Sequence, residues 1–190
     1  FPIVIAPFEV ISDLKENIDI AKIIRDNLNR SGQFSALSTD ALVTNQIDFN
    51  FWKEHKKDAV VFGKVEQVSP KVYNIYIYIY DVFSEKSLYQ KKITVSNTGF
   101  RRMAHFLSDK IYYVLLGQKG SFNTRLSYVT VTENNSGGRT YRLQISDSDG
   151  ENPQTIVRQS NPILSPAWSK DQKKLAYVSF KNNRSEVFVM

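Results

Sequence analysis

Isoleucine and tyrosine alternate without interruption in NIYIYIY, residues 74–80, and this pattern fits only one kind of regular structure. Successive side chains of a β-strand point to opposite faces of the sheet. One face therefore carries the isoleucines and the other carries the tyrosines: Ile75, Ile77, Ile79 and Tyr76, Tyr78, Tyr80. The run from Val72 to Phe83 is predicted to be a strand with one face turned to an apolar core.

The residues around this strand predict a small α+β domain. Further strands are expected at Pro2–Phe8, Phe34–Ser38, Ala59–Val68 and Ser87–Ser96. Apolar residues recur at helical spacing within Asn17–Arg30 and Phe100–Leu115, each followed by a glycine stop, Gly32 or Gly117, and a weaker helix is expected over Asp48–His55. The order β-α-β-α-β-β-β-α predicts a mixed sheet with two or more helices packed on one face.

The pattern changes after Gly117. A polar segment, QKGSFNT, precedes short strands at Arg125–Thr132, Tyr141–Ser146 and Thr155–Val157, separated by turns. Short strands with regularly spaced turns are typical of an all-β unit. The sequence therefore predicts an N-terminal α/β domain at 1–117, a linker at 118–124 and a β unit at 125–190.

The β unit contains a repeat with a defined turn, SPAWSKDQKKLAYV at 165–178. Pro166 fixes the start of a strand, Trp168 is a large apolar anchor, and Ser169 with Asp171 supplies the hydroxyl and carboxylate of a tight turn. The chain then reverses into a strand that contains Leu175 and Tyr177. A weaker copy, TRLSYVTV, lies upstream, and its Ser127 is 49 positions before Ala176 (176 − 127). That spacing is close to the roughly 40 to 50 residues of a β-propeller blade.

These residues carry a family resemblance. SPAWSKDQKKLAYV resembles the WD40-like repeat S-P-A-W-S-P-D-G-x-x-L-A-Y-V of the TolB family, the periplasmic propeller proteins of the Tol-Pal system. Segments in the same order along the chain also resemble the family: PIVIAPF, DAVVFGKV, HFLSD, LGQKGSFNTRLSYV and ISDSDG. The turn departs from the family at Lys170, where proline is usual, and at Gln172, where glycine is usual.

The resemblance implies an α/β domain followed by a six-bladed propeller, which needs about 250 residues. Only 66 residues follow Thr124 (190 − 124), enough for the first blade and part of the second. A partial ring leaves sheet edges open, so we expect this chain to be a piece of a longer protein. Proteins of the family carry a short segment before the PIVIAPF-like strand that engages TolA, and because this chain begins at that strand, the segment is expected to be missing from it. The chain begins with Phe1, and a removed signal peptide is expected before it.

The resemblance also implies a function: a non-enzymatic periplasmic scaffold that links Pal, the peptidoglycan-associated lipoprotein, to TolA. Such a protein would serve outer-membrane integrity and invagination during cell division, and would be peripheral to the membranes through its partners. The motif residues carry over in a structural role only: Pro166, Trp168, Ser169, Asp171, Leu175 and Tyr177. No partner-binding residue carries over, and no cofactor is expected.

The charge of the chain leaves an alternative function open. There are 25 Lys and Arg residues against 19 Asp and Glu, for a net charge of +6. With the tyrosine face, this charge could make the N-terminal domain a nucleic-acid-binding module. No basic residue interleaves between Tyr73 and Tyr80, which favours instead a half-covered sheet face, so no nucleic acid is expected as a partner.

The sequence offers no convincing catalytic or metal site. His105, Ser108 and Asp109 share one helix turn, where a nucleophile, base and orienting acid cannot line up, and a surface or interdomain hydrogen-bonding pair is expected instead. DSDG at 147–150 resembles part of a calcium loop, but Arg158 occupies the final ligand position, so a turn is expected. The chain has no cysteine. A propeller hydrolase with its catalytic residues on further blades stays open as a third hypothesis.

Overall fold

The computed structural model describes residues 1–11, 19–39 and 47–190. They form two compact units, Phe1–Asn123 and Thr124–Met190. The predicted limits, 1–117 and 125–190 with a linker at 118–124, stay a prediction. The start of the first predicted helix, at Asn17, lies outside the described residues.

The N-terminal unit is built on a mixed sheet. Its strands are β1 (Pro2–Ile5), β2 (Glu9–Val10), β3 (Ser35–Leu37), β4 (Ala59–Ser69), β5 (Val72–Asp81) and β6 (Ser87–Ser96). The sheet order is β3-β1-β4-β5-β6, with β2 paired to β4. The pairs of β1 with β3, β1 with β4 and β2 with β4 are parallel, whereas β4 with β5 and β5 with β6 are antiparallel. The predicted mixed sheet is confirmed.

Two helices cover the isoleucine face of this sheet. They are α1 (Ile20–Arg30) and α3 (Phe100–Leu116). The Asp19 carboxylate caps α1 by accepting a hydrogen bond from Lys22 N, and α3 ends at Gly117, whose φ of 71° is left-handed. The isoleucines of β5 are fully buried against both helices, in one cluster with Ile24 and Leu107. The alternation in NIYIYIY thus places its apolar half in the core.

The third helix, α2 (Phe49–Glu54), lies on the opposite face. Its Trp52 is buried with Val4, Val60 and Phe62, whose side chains point away from α1 and α3. The prediction of two or more helices on one face is thus confirmed for α1 and α3, and α2 is an addition on the other face. The tyrosine face presents aromatic surface that must be shielded from water, and the indole of Trp52 shields part of it.

The C-terminal unit consists of antiparallel β-sheets. The first sheet contains β7 (Arg125–Glu133), β8 (Arg139–Asp147) and β9 (Gln154–Gln159), and the second contains β10 (Ile163–Trp168), β11 (Leu175–Ser179) and β12 (Glu186–Val189). Leu143, Ile163 and Leu175 form the buried core of this unit. These sheets are those of a partial propeller, as predicted. Within the described ranges, no helix has the length and apolar character to cross a bilayer.

Candidate functional site

The turn between β10 and β11 is organised around Ser169. Its N–H donates to Lys174 O at 2.8 Å, and its Oγ accepts from Lys174 N at 3.0 Å. The same Oγ donates to Asp171 Oδ1 at 2.6 Å, and this oxygen also accepts from Lys173 N at 3.2 Å. The hydrogen bond from Ser169, as the larger cause, and that from Lys173 lower the pKa of Asp171 below its ordinary value. One hydroxyl and one carboxylate therefore satisfy two backbone N–H groups of the turn, those of Lys174 and Lys173.

The other motif residues lie on the strands beside this turn. Trp168 pairs with Leu175 across β10 and β11, and Leu175 is buried. Tyr177 stacks on Phe188 of β12, with ring centroids 5.6 Å apart. Pro166 lies where the register of β10 shifts between Leu164 and Ala167, as its missing N–H allows. Their structural role in the repeat remains a proposal.

Gln172 adopts a left-handed backbone in the turn, with φ of 58°. A side chain in this region costs about 1 kcal/mol that glycine does not incur. We therefore expect Gln172→Gly to raise the free energy of unfolding of the C-terminal unit by about 0.5 kcal/mol or more. Chemical denaturation followed by the fluorescence of Trp168, in a Trp52→Phe background, measures this change. The control is Gln154→Gly, at the start of β9 and outside the left-handed region, which should lower the free energy of unfolding of the same unit. A lower free energy of unfolding in both variants would contradict the prediction.

The tyrosine face of β5 is divided between a packed part and an open part. Phe62 stacks on Tyr78 and Tyr80, with ring centroids 5.0 and 6.0 Å away, and Phe49 lies 6.0 Å from Tyr80. These contacts engage two of the three tyrosines in packing within the domain. A stacking platform for bases needs open ring faces, and two of the three tyrosine rings are already packed against other rings. This packing argues against the nucleic-acid hypothesis.

The third tyrosine, Tyr76, lies between two lysines. Lys64 Nζ is 4.7 Å and Lys92 Nζ is 5.5 Å from its ring centroid, because both residues stand opposite Tyr76 in the strand register. The Tyr76 hydroxyl donates to Glu66 Oε2 at 2.9 Å, and this bond, with a second from Asn74, lowers the pKa of Glu66. These lysines could not be identified from the sequence around Tyr76, because they come from neighbouring strands.

The structure does not assemble Ser108, His105 and Asp109 into a catalytic triad. Asn27 Nδ2 of α1 lies 2.9 Å from both His105 Nδ1 and Ser108 Oγ, and the Ser108 hydroxyl donates to Ala104 O at 2.8 Å. His105 and Ser108 are buried, so of the predicted surface or interdomain pair, the surface alternative is wrong for His105. Packing of α1 on α3 makes this cluster a polar link inside the core.

Asp109 acts on the segment that follows α3. Its carboxylate oxygens accept hydrogen bonds from Phe122 N at 2.8 Å and Asn123 N at 3.1 Å. A Cβ on Gly120 would collide with Oδ1 of Asp109, so glycine lets this segment approach the helix. Phe122 and Asn123, which fall in the predicted linker at 118–124, are thus hydrogen-bonded to α3.

The DSDG segment forms a turn between β8 and β9. Gly150 N donates to Asp147 O at 3.0 Å, Asp147 N donates to Glu151 O at 2.9 Å, and Gly150 has φ of 89°. Asn152 Nδ2 donates to Asp147 Oδ2 at 2.8 Å. The predicted turn is confirmed, and the Asp-Gly pair closes a hairpin.

The comparisons with known proteins find similarity to TolB in both units. The family model of the TolB amino-terminal domain matches residues 1–88, and that of the TolB beta propeller domain matches residues 112–190. The Tol-Pal system protein TolB of Ruthia magnifica subsp. Calyptogena magnifica is 57% identical over 189 residues, which are 100% of this chain and 45% of the relative. The same protein of Nitrosococcus oceani is 39% identical over 99% of this chain and 44% of its own length.

A solved structure of a TolB protein is also similar to this chain along its whole length. The crystal structure of TolB from Acinetobacter baumannii superposes with a TM-score of 0.85 at 33% identity, covering 100% of this chain and 46% of that one. The chain thus spans about half the length of the relatives that it matches.

Proposed function

Because this chain belongs to the TolB family, we propose that it acts as a non-enzymatic scaffold of the Tol-Pal system in the periplasm. In this role it links Pal at the outer membrane to TolA of the inner-membrane complex, and it supports outer-membrane integrity and invagination during division. The observation that carries the proposal is the 57% identity, along the whole chain, to a Tol-Pal system protein.

The architecture suits a protein that works by binding. Antiparallel sheets with short turns present their loops from a rigid framework, so little conformational entropy is lost when a partner docks. The turn at Ser169, closed by its own side-chain hydrogen bonds, is an example of such a preformed loop. The buried Ser108 hydroxyl, held by Asn27 and Ala104 O, is consistent with a role without catalysis.

The proposal is tested by calorimetric titration of the soluble domain of Pal into the intact protein and, separately, into residues 1–190. We expect saturable binding to the intact protein and weaker binding or none to residues 1–190, because the resemblance assigns much of the Pal surface to further blades. The chain has a net charge of +6, so each titration is repeated at about 0.5 M salt, where nonspecific attraction between exposed charges is screened. Absence of binding in both arms would contradict the scaffold function.

A further inference from the structure

The C-terminal unit contains a cleft of about 210 Å³ where the start of β7 meets the end of β10. Six residues line it: Thr124, Arg125, Trp168, Ser169, Lys170 and Gln172. Two of these side chains carry a positive charge and none carries a carboxylate. The cleft is therefore a local site of positive charge with hydroxyl and amide groups on its walls.

One acid faces a cation of the cleft, because Asp147 stands opposite Arg125 in the register of β7 and β8. Among the described residues, neither Arg125 nor Lys170 takes part in an ion pair. The nearest acid along the chain, Asp171, accepts hydrogen bonds from Ser169 Oγ and Lys173 N within the turn. Two cations without an ion-pair partner beside one cleft favour an anionic ligand.

Arg125 is also held in a defined place. Its guanidinium carbon lies 5.2 Å from the ring centroid of Trp168, a cation–π distance. A guanidinium stacked on an aromatic ring keeps its planar fork of N–H donors, which matches the two oxygens of a carboxylate. The stacking fixes the donor before a ligand arrives, and less entropy is lost on binding.

Trp168, which forms one wall, carries an N–H group of its own. Its indole Nε1 is buried, and it has no hydrogen-bond acceptor in the part of the chain that the structure describes. A buried donor without an acceptor costs about 1 to 3 kcal/mol, and native proteins rarely keep one without a reason. The donors that line the cleft are therefore the Lys170 ammonium and the Arg125 guanidinium, and the buried indole N–H belongs to the ring on which the guanidinium stacks.

One residue at the cleft, Gln172, has an unusual backbone conformation for a residue with a side chain. Gln172 keeps a left-handed φ of 58° although glycine would fit there without strain. Strained residues concentrate at binding sites, where the surrounding structure maintains them. Lys170 and Gln172, which both depart from the repeat pattern, both line the cleft.

We propose that this cleft binds the carboxylate of an acidic segment of a protein partner. Sites for drug-sized small molecules have volumes of about 300 to 1,000 Å³, so a cleft of about 210 Å³ is suited to one acidic side chain and part of its neighbour. Single-stranded nucleic acid would need a longer track of cations and open rings, whereas Trp168 is already stacked by Arg125. The proposal uses only residues of the cleft and does not rest on the Tol-Pal assignment.

The test follows the indole N–H signal of Trp168 by ¹⁵N NMR in the intact protein, assigned with a Trp168→Phe variant, in which that signal is lost. The probes are the peptide acetyl-Phe-Glu-Asp-Phe-amide, its neutral counterpart acetyl-Phe-Gln-Asn-Phe-amide, sodium acetate and sodium phosphate. We expect a saturable shift with the acidic peptide, and about tenfold weaker binding of each other probe. We expect Arg125→Gln and Lys170→Gln each to raise the dissociation constant of the acidic peptide about tenfold.

Lys173→Gln is the matched control, because Lys173 belongs to the same turn but does not line the cleft. It should leave binding of the acidic peptide unchanged. The proposal is overturned if no probe shifts the indole signal, if acetate or phosphate binds as tightly as the acidic peptide, or if Lys173→Gln weakens binding as much as Lys170→Gln. Lys170 is exposed, so Lys170→Gln stays folded and informative even if Arg125→Gln does not.

Discussion

Gly63→Ala is expected to lower the free energy of unfolding of the N-terminal unit by about 3 kcal/mol. Gly63 lies in β4, opposite Ile77 of β5. A Cβ at this position would collide with the Tyr76 carbonyl oxygen and with the ring of Phe8. The carbonyl belongs to the central ladder and cannot rotate away, so the sheet itself would have to shift.

Gly99→Ala is the control for this variant. The nearest atoms to a Cβ on Gly99 are Ser96 Oγ at 3.5 Å and Val95 Cβ at 3.7 Å, which are ordinary contacts. It should lower the free energy of unfolding by no more than about 1 kcal/mol, because Gly99 is the N-cap of α3 and alanine is a poorer N-cap than glycine. Chemical denaturation followed by Trp52 fluorescence in a Trp168→Phe background reports on the N-terminal unit alone, since each unit holds one of the two tryptophans. Equal effects of both substitutions would show that the approach of Phe8 and Tyr76 to Gly63 is not tight.

The main elements of the fold could be predicted because they depend on local periodicity. NIYIYIY alternates through a full strand, and the apolar residues of α3 repeat at helical spacing up to Gly117. The side of the sheet that α2 covers could not be predicted. A helix of six residues has too few turns to define an apolar face, and only Trp52 shows which surface it buries.

In the C-terminal unit, too, the local features could be predicted and the contacts between distant strands could not. Ser169 and Asp171 could be identified because a turn closes over a few adjacent residues. The cleft could not, because it brings Arg125 of β7 beside Trp168 of β10, and sequence patterns do not report contacts between distant strands. The lysines around Tyr76 were missed for the same reason, since they depend on the register of β4, β5 and β6.

The polar link between α1 and α3 is a further contact that no local pattern reveals. Asn27 and His105 are 78 positions apart along the chain, yet both are buried. The amide nitrogen of Asn27 can only donate, so His105 Nδ1 accepts and the proton of the neutral ring lies on Nε2. Asn27 therefore fixes the tautomer of the histidine as well as joining the two helices.

Asn27→Ala should lower the free energy of unfolding of the N-terminal unit by about 2 to 3 kcal/mol, because it removes a buried donor from His105 Nδ1 and from Ser108 Oγ. The same Trp52 denaturation experiment measures the loss, and the ¹⁵N shifts of the His105 ring should change as Nδ1 loses its donor. Asp26→Ala is the control on the same helix: its exposed ion pair with Lys22, at 2.7 Å, should contribute less than about 1 kcal/mol. If the two variants were equally stable and the His105 signals unchanged, the amide of Asn27 would not be what holds the two helices together.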